Sequence, residues 1–107
     1  MLPCSMSPNL PTTLPVNDWL LPYESRLDMR PATQVDLVVI HCTELPDMAM
    51  ARQYGERRHY DAGTGNSGHY YIDRDGTVHL FVPPTRIANH TRGYNPRSDG
   101  IEIVNTG

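Results

Sequence analysis

Val35-Asp36-Leu37-Val38-Val39-Ile40-His41-Cys42-Thr43 is the stretch whose reading decides the fold of this chain. Five of the six residues from Val35 to Ile40 are apolar. Such a short continuous run predicts a strand buried on both faces of a sheet. It stops on a histidine. A strand that delivers His41 to its carboxyl end, before a turn at Leu45-Pro46, puts a metal-competent side chain where α/β sheets carry their chemistry. The commoner occupant of such a place is a core histidine hydrogen-bonded to backbone. The run alone does not separate the two.

Outward from this strand, the chain as a whole sets bounds. Its 107 residues suit at most one domain with a single core. A net charge of −3, with nine basic residues that are all arginine and scattered, leaves no electrostatic footprint for nucleic acid. No apolar run reaches the length of a membrane span, and the amino terminus lacks the basic and apolar regions of a secretory signal. The chain therefore reads as soluble. Leu2-Pro3-Cys4 has the cysteine of a lipoprotein cleavage site without the hydrophobic segment that should precede it. Cys4 and Cys42 are too few and too differently placed for a disulfide framework, so both are expected to be free thiols.

Residues 1–34 hold six of the ten prolines and read as a Pro-rich arm, with Trp19, Leu20, Leu21 and Tyr23 as candidates to pin it on the domain. The second region is 35–107. After His41, Met48 to Arg58 favours helix in composition, with Asp47 as N-cap and Met48, Ala51 and Tyr54 on one face. Gly63, Gly65 and Gly68 imitate part of a dinucleotide fingerprint. They precede a strand instead of linking strand to helix, so that reading fails on context. Gly68 to Val82 reads as a hairpin turning at Asp75-Gly76, where both residues accept positive φ. Alternation puts His69, Tyr71 and Asp73 on one face and Tyr70 and Ile72 on the other, with no role for His79. A short strand at Arg86-Ile87-Ala88 and a last strand from Gly100 to Asn105 follow. Glu102 then stands as a carboxylate on an otherwise apolar strand. An edge strand that turns a charge outward against aggregation would explain it equally well.

Four segments together carry a resemblance: Val38 to Thr43, Ser67 to Thr77, Asn89-His90-Thr91-Arg92-Gly93-Tyr94-Asn95, and Ser98-Asp99-Gly100-Ile101-Glu102-Ile103. In this order they resemble the zinc-dependent N-acetylmuramoyl-L-alanine amidases of the type 2 family, whose fold is similar to peptidoglycan recognition proteins and phage amidase lysozymes. The resemblance covers roughly residues 35 to 107 and implies an α/β domain with a mixed central β-sheet and flanking helices. It makes His41 the first zinc ligand and Glu102 the acid/base acting on zinc-bound water. His69 and His90 become residues that line the site or support it from behind. Gly68 departs from members that carry a tyrosine there, and Asp99 stands where isoleucine is usual.

The resemblance implies hydrolysis of the amide between N-acetylmuramic acid and L-alanine, with peptidoglycan or a soluble muropeptide as partner. It favours a bacterial cell-envelope setting, with cytoplasmic recycling as the other. Zn2+ would lower the pKa of bound water to about 7 and polarise the carbonyl. In the family the other two ligands lie beyond the glutamate strand, which here puts them beyond Gly107. The expectation is therefore a chain that lacks the carboxyl-terminal part of the domain, binds zinc weakly and is inactive alone. Two alternatives stay open: a non-catalytic peptidoglycan-binding module or inactive fragment, and a replacement site built from His41, His69 and His90.

Overall fold

Residues 14–107 are described by the computed structural model, so the expectations for Cys4 and for the first prolines lie outside the described residues. The elements run β1 (Asn17–Asp18), β2 (Leu37–Cys42), α1 (Met48–Glu56), β3 (Tyr70–Ile72), β4 (Val78–Leu80) and β5 (Ser98–Ile103), with three short 3-10 turns between them. The strands form one mixed sheet in the order β1-β4-β3-β5-β2. Only β3 and β4 pair antiparallel; β1 with β4, β3 with β5 and β5 with β2 are parallel. This is the mixed α/β architecture expected, with one α-helix among the described residues.

The deciding strand departs from its reading in one respect. β2 lies at the sheet edge and alternates, with Leu37, Val39 and His41 half-buried and Val38, Ile40 and Cys42 exposed. Val38 and Ile40 are 55% and 64% exposed, so the apolar run does not mean burial on both faces. Its neighbours on the open face, Tyr70, Ile72, Ile101 and Ile103, are only half-buried. Cys42 is a free, exposed thiol, as expected.

The other face carries the core of Leu21, Tyr23, Leu27, Met48, Ala51, Tyr71, Phe81, Val82, Ala88 and Val104. Helix α1 packs here because Met48, Ala51, Arg52 and Gly55 fall on one helical stripe. Tyr54, expected on that stripe, is 45% exposed and turns toward the cleft described below. Asp47 caps the helix as expected, its Oδ1 accepting from the Met50 amide at 2.9 Å.

Part of the Pro-rich arm belongs to this core. β1 continues along β4 through the Trp19 and Leu21 amides, which donate to the Leu80 and Phe81 carbonyls at 3.0 and 2.9 Å. Arg52 reaches back from α1, lies over the Trp19 and Phe81 rings at 4.4 and 4.7 Å, and donates to the Trp19 and Leu20 carbonyls. A guanidinium on aromatic faces keeps both its apolar contacts and its hydrogen bonds, which is how this one tolerates burial.

The hairpin forms where expected but by a longer turn. Ile72 pairs with Val78, the Gly76 amide donates to the Asp73 carbonyl at 2.9 Å, and only Gly76, at φ 90°, takes positive φ. A turn followed by a left-handed glycine is the longer-loop solution, not the two-residue one. The Arg86 to Ala88 strand is reduced to a single bridge between Met29 and Arg86.

Candidate functional site

His41 and Glu102 are the penultimate residues of β2 and β5, and the parallel register sets them side by side. Side chains directly opposite on adjacent strands share a face. Their His41 Nε2 and Glu102 Oε2 atoms stand 4.0 Å apart. Both occupy the covered face, at the carboxyl end of the parallel strands. Burial raises the Glu102 pKa above the ordinary carboxylate range, an effect that His41 partly opposes.

His90 arrives from the loop before β5. Its Nδ1 lies 3.1 Å from His41 Nε2 and its Nε2 lies 3.0 Å from Ser98 Oγ, so a chain of hydrogen bonds runs Ser98–His90–His41. The loop that carries it is tied by Asn95, whose Oδ1 accepts from the His90 and Thr91 amides at 3.0 and 2.8 Å. Burial and the neighbouring His69 and His41 push the His90 pKa from 6.5 down to about 4. It is neutral at neutral pH. Because the folded value lies below the unfolded one, the unfolded chain binds more protons between them. Stability should therefore fall as pH drops from about 6.5 through 4. An NMR titration should show the His90 ring holding off protonation until about pH 4; a midpoint near 6.5 would contradict the burial argument.

His69 is fully buried. Its Nδ1 accepts from the Gly100 amide at 3.0 Å and its Nε2 lies 2.8 Å from the Arg86 carbonyl, which assigns the proton to Nε2. Both ring nitrogens are thus spent on backbone, and the ring stands 5.8 Å from that of His90. Desolvation lowers its pKa, keeping it neutral. Arg30, with no side-chain exposure, sits beside it and donates to the Pro84, Asn95 and Ser98 carbonyls and to Asp99. Asp99, the departure noted in the sequence, is the ion partner of this arginine at 2.8 Å.

Two glycines allow these groups to approach. A Cβ on Gly68 would stand 2.9 Å from Glu102 Cγ and 3.1 Å from the Gly100 carbonyl, and a Cβ on Gly100 would stand 2.6 Å from His90 Cγ. A larger residue at 68 would displace the Glu102 side chain. That gives the glycine at this position a physical reason.

In front of these residues lies an open cleft of about 570 Å³. Glu102, His90, Tyr71 and Ser67 line it, together with Tyr54, Tyr60, Thr91 and Arg92. Among the described residues no three His, Cys, Asp or Glu side chains converge on a common point that could hold a metal ion. His41 and His90 aim ring nitrogens at one another, and those of His69 point at backbone. The three-histidine alternative therefore has no support in this geometry. Gly107, beyond which the resemblance puts the other two ligands, takes no part in the site. It is exposed, its amide donates to Asn105 Oδ1 at 2.8 Å, and it does not line the cleft. Of the groups at this site, sequence reasoning missed Tyr71, Arg30 and Ser98. Alternation had placed Tyr71 on the face of His69, and Tyr71 and Ser98 both lie within the segments that carry the resemblance, but nothing there assigned either a role; Arg30 had no signal.

The chain is similar to known proteins in sequence and in fold. An endolysin of Enterobacteria phage T3 is 26% identical over 82 residues, which are 75% of this chain and 54% of the phage protein. The chain thus spans about half the length of that relative. A solved structure titled a mutant endolysin from Bacillus subtilis superposes with a TM-score of 0.60 at 22% identity, over 88% of this chain and 64% of the other, and so shares the fold. Residues 31–107 match the family described as N-acetylmuramoyl-L-alanine amidase, and the chain belongs to that family.

Proposed function

We propose that this chain carries the proton-handling side of an enzyme that hydrolyses the amide between N-acetylmuramic acid and L-alanine in peptidoglycan. The observation that carries the reading is the His41–Glu102 pair, side by side on adjacent strands, with Glu102 lining an open cleft. Hydrolysis adds water to the amide carbonyl carbon and breaks the C–N bond. A base must take a proton from the water and an acid must return one to the leaving nitrogen. Glu102 suits both steps, since desolvation brings its pKa up toward the working range. His90 enters the cleft neutral and holds the His41 ring in place. A cell-wall setting goes with this substrate and is part of the same proposal.

Zinc dependence is the finer part of the proposal. His41 would be one ligand, its Nε2 directed to His90 and its Nδ1 without a hydrogen-bond partner among the described residues. A metal-binding histidine whose other nitrogen is held in this way is the usual arrangement. Three protein ligands are needed, and the described residues, as far as Gly107, do not supply them. No step above depends on the metal.

The test is release of free L-alanine amino termini from muramyl peptides, with zinc supplied, alongside binding of muramyl dipeptide to the chain. Binding with release supports the enzyme. Binding without release supports a second reading, a non-catalytic peptidoglycan-binding module, which suits a cleft whose described residues bring no three ligands together. Neither binding nor release would refute both.

A further inference from the structure

Two buried tyrosines differ in how their hydroxyls are satisfied. Tyr23, 1% exposed, donates to the Gly55 carbonyl at 2.6 Å. Tyr71, 5% exposed, has only long contacts: its oxygen accepts from the Gly68 amide at 3.4 Å and lies 3.3 Å from Ser67 Oγ. An ordinary O–H···O bond is about 2.7–2.8 Å. The Ser67 hydrogen already goes to the Gly68 carbonyl at 2.8 Å, so Ser67 Oγ can only accept from Tyr71, and does so at the edge of bonding distance. Tyr71 therefore holds a donor hydrogen that the fold barely uses. Buried polar groups are normally paired better than this.

The position of that hydrogen gives it a use. Tyr71 is the register partner of Glu102 on the neighbouring parallel strand, and both line the cleft. Its ring is fixed by stacking on Phe81 at 3.9 Å, with 22° between planes. We propose that the Tyr71 hydroxyl is a substrate-binding donor that holds the carbonyl oxygen of the scissile amide beside Glu102. This rests on the amidase reading and adds to it a residue that none of the four sequence motifs assigned a role. Burial pushes the phenol up to about 12, so the proton is present at any working pH. A preorganised neutral donor strengthens its bond as negative charge gathers on the oxygen, which favours the addition step over the ground state.

The test is a double-mutant cycle on binding, using the full chain, muramyl dipeptide, and its analogue in which the lactyl carbonyl is reduced to CH2. Tyr71→Phe keeps the ring stack and removes only the hydroxyl. It should weaken muramyl dipeptide about 3- to 10-fold, the range for one neutral hydrogen bond. Its effect on the reduced analogue should be negligible, since that ligand has no oxygen to hold. Equal losses for both ligands, or none for either, would overturn the Tyr71 role while leaving the amidase reading in place. Failure of the unaltered chain to bind muramyl dipeptide would overturn both. A tyrosine Cζ carbon-13 signal in the unaltered chain gives a check that needs no folded variant. The Tyr71 signal should move with muramyl dipeptide and stay with the reduced analogue; no movement with either overturns the proposal.

Discussion

Replacing Arg30 with alanine is expected to lower the unfolding free energy by about 3–5 kcal/mol, the usual range when one partner of a buried ion pair is removed. The guanidinium has no exposed surface and donates to the carbonyls of Pro84, Asn95 and Ser98 and to the Asp99 carboxylate. Its loss leaves these acceptors, and the Pro96 carbonyl at 3.3 Å, without their arginine donor. A small domain has only about 5–15 kcal/mol in total. Chemical denaturation should therefore show either a large drop in midpoint or a chain that no longer folds cooperatively. The damage should also spread to the site, because Ser98 and Asn95 position His90, which in turn touches His41. A loss below about 1 kcal/mol, as for an exposed pair, would mean that the arginine is not the clamp described.

Glu102→Gln is expected to reduce the release of L-alanine amino termini roughly 10²- to 10⁴-fold, the span of a general acid–base contribution, in any preparation of the protein that shows the activity. The same substitution should not harm the fold. A carboxyl whose folded pKa is raised binds more protons in the native than in the unfolded state, so its contribution to stability is present below the unfolded value and lost as pH rises through the folded value. At neutral pH the buried carboxylate opposes folding, and the amide removes that charge. The variant should thus be at least as stable as the parent at pH 7, with the difference shrinking in acid. Equal activity in the two proteins would remove Glu102 from the chemistry. A less stable variant at pH 7 would show that the carboxylate is held by contacts other than those described.

Local chemistry was enough for several features of this chain, because each depends on residues close together in sequence. The β2 run ending on His41, the Asp47 cap and the Tyr70 to Leu80 hairpin all follow from period, capping and turn preference. The type of element was legible in each case. The extent was less so: the hairpin turn took five residues, from Asp73 to Thr77, and Arg86 to Ala88 made one bridge instead of a strand. That His41 and Glu102 share one face and one end was only a requirement of the resemblance, since a slip of one residue in register would have sent Glu102 to the opposite face; the pairing of β2 with β5 decided it.

Tertiary structure decided what depends on partners distant in the chain. A run of Val and Ile cannot say whether its second face is covered, and here β2 became an edge strand with Val38 and Ile40 open. Arg30 lies 69 residues before Asp99, and nothing near it in sequence marks it as a buried clamp. The distinction among the three histidines is of the same kind. His69 has both nitrogens on backbone, His90 bridges Ser98 and His41, and His41 faces Glu102. A histidine's chemistry is set by which atoms meet its two nitrogens, and those atoms come from strands and loops that only folding brings together.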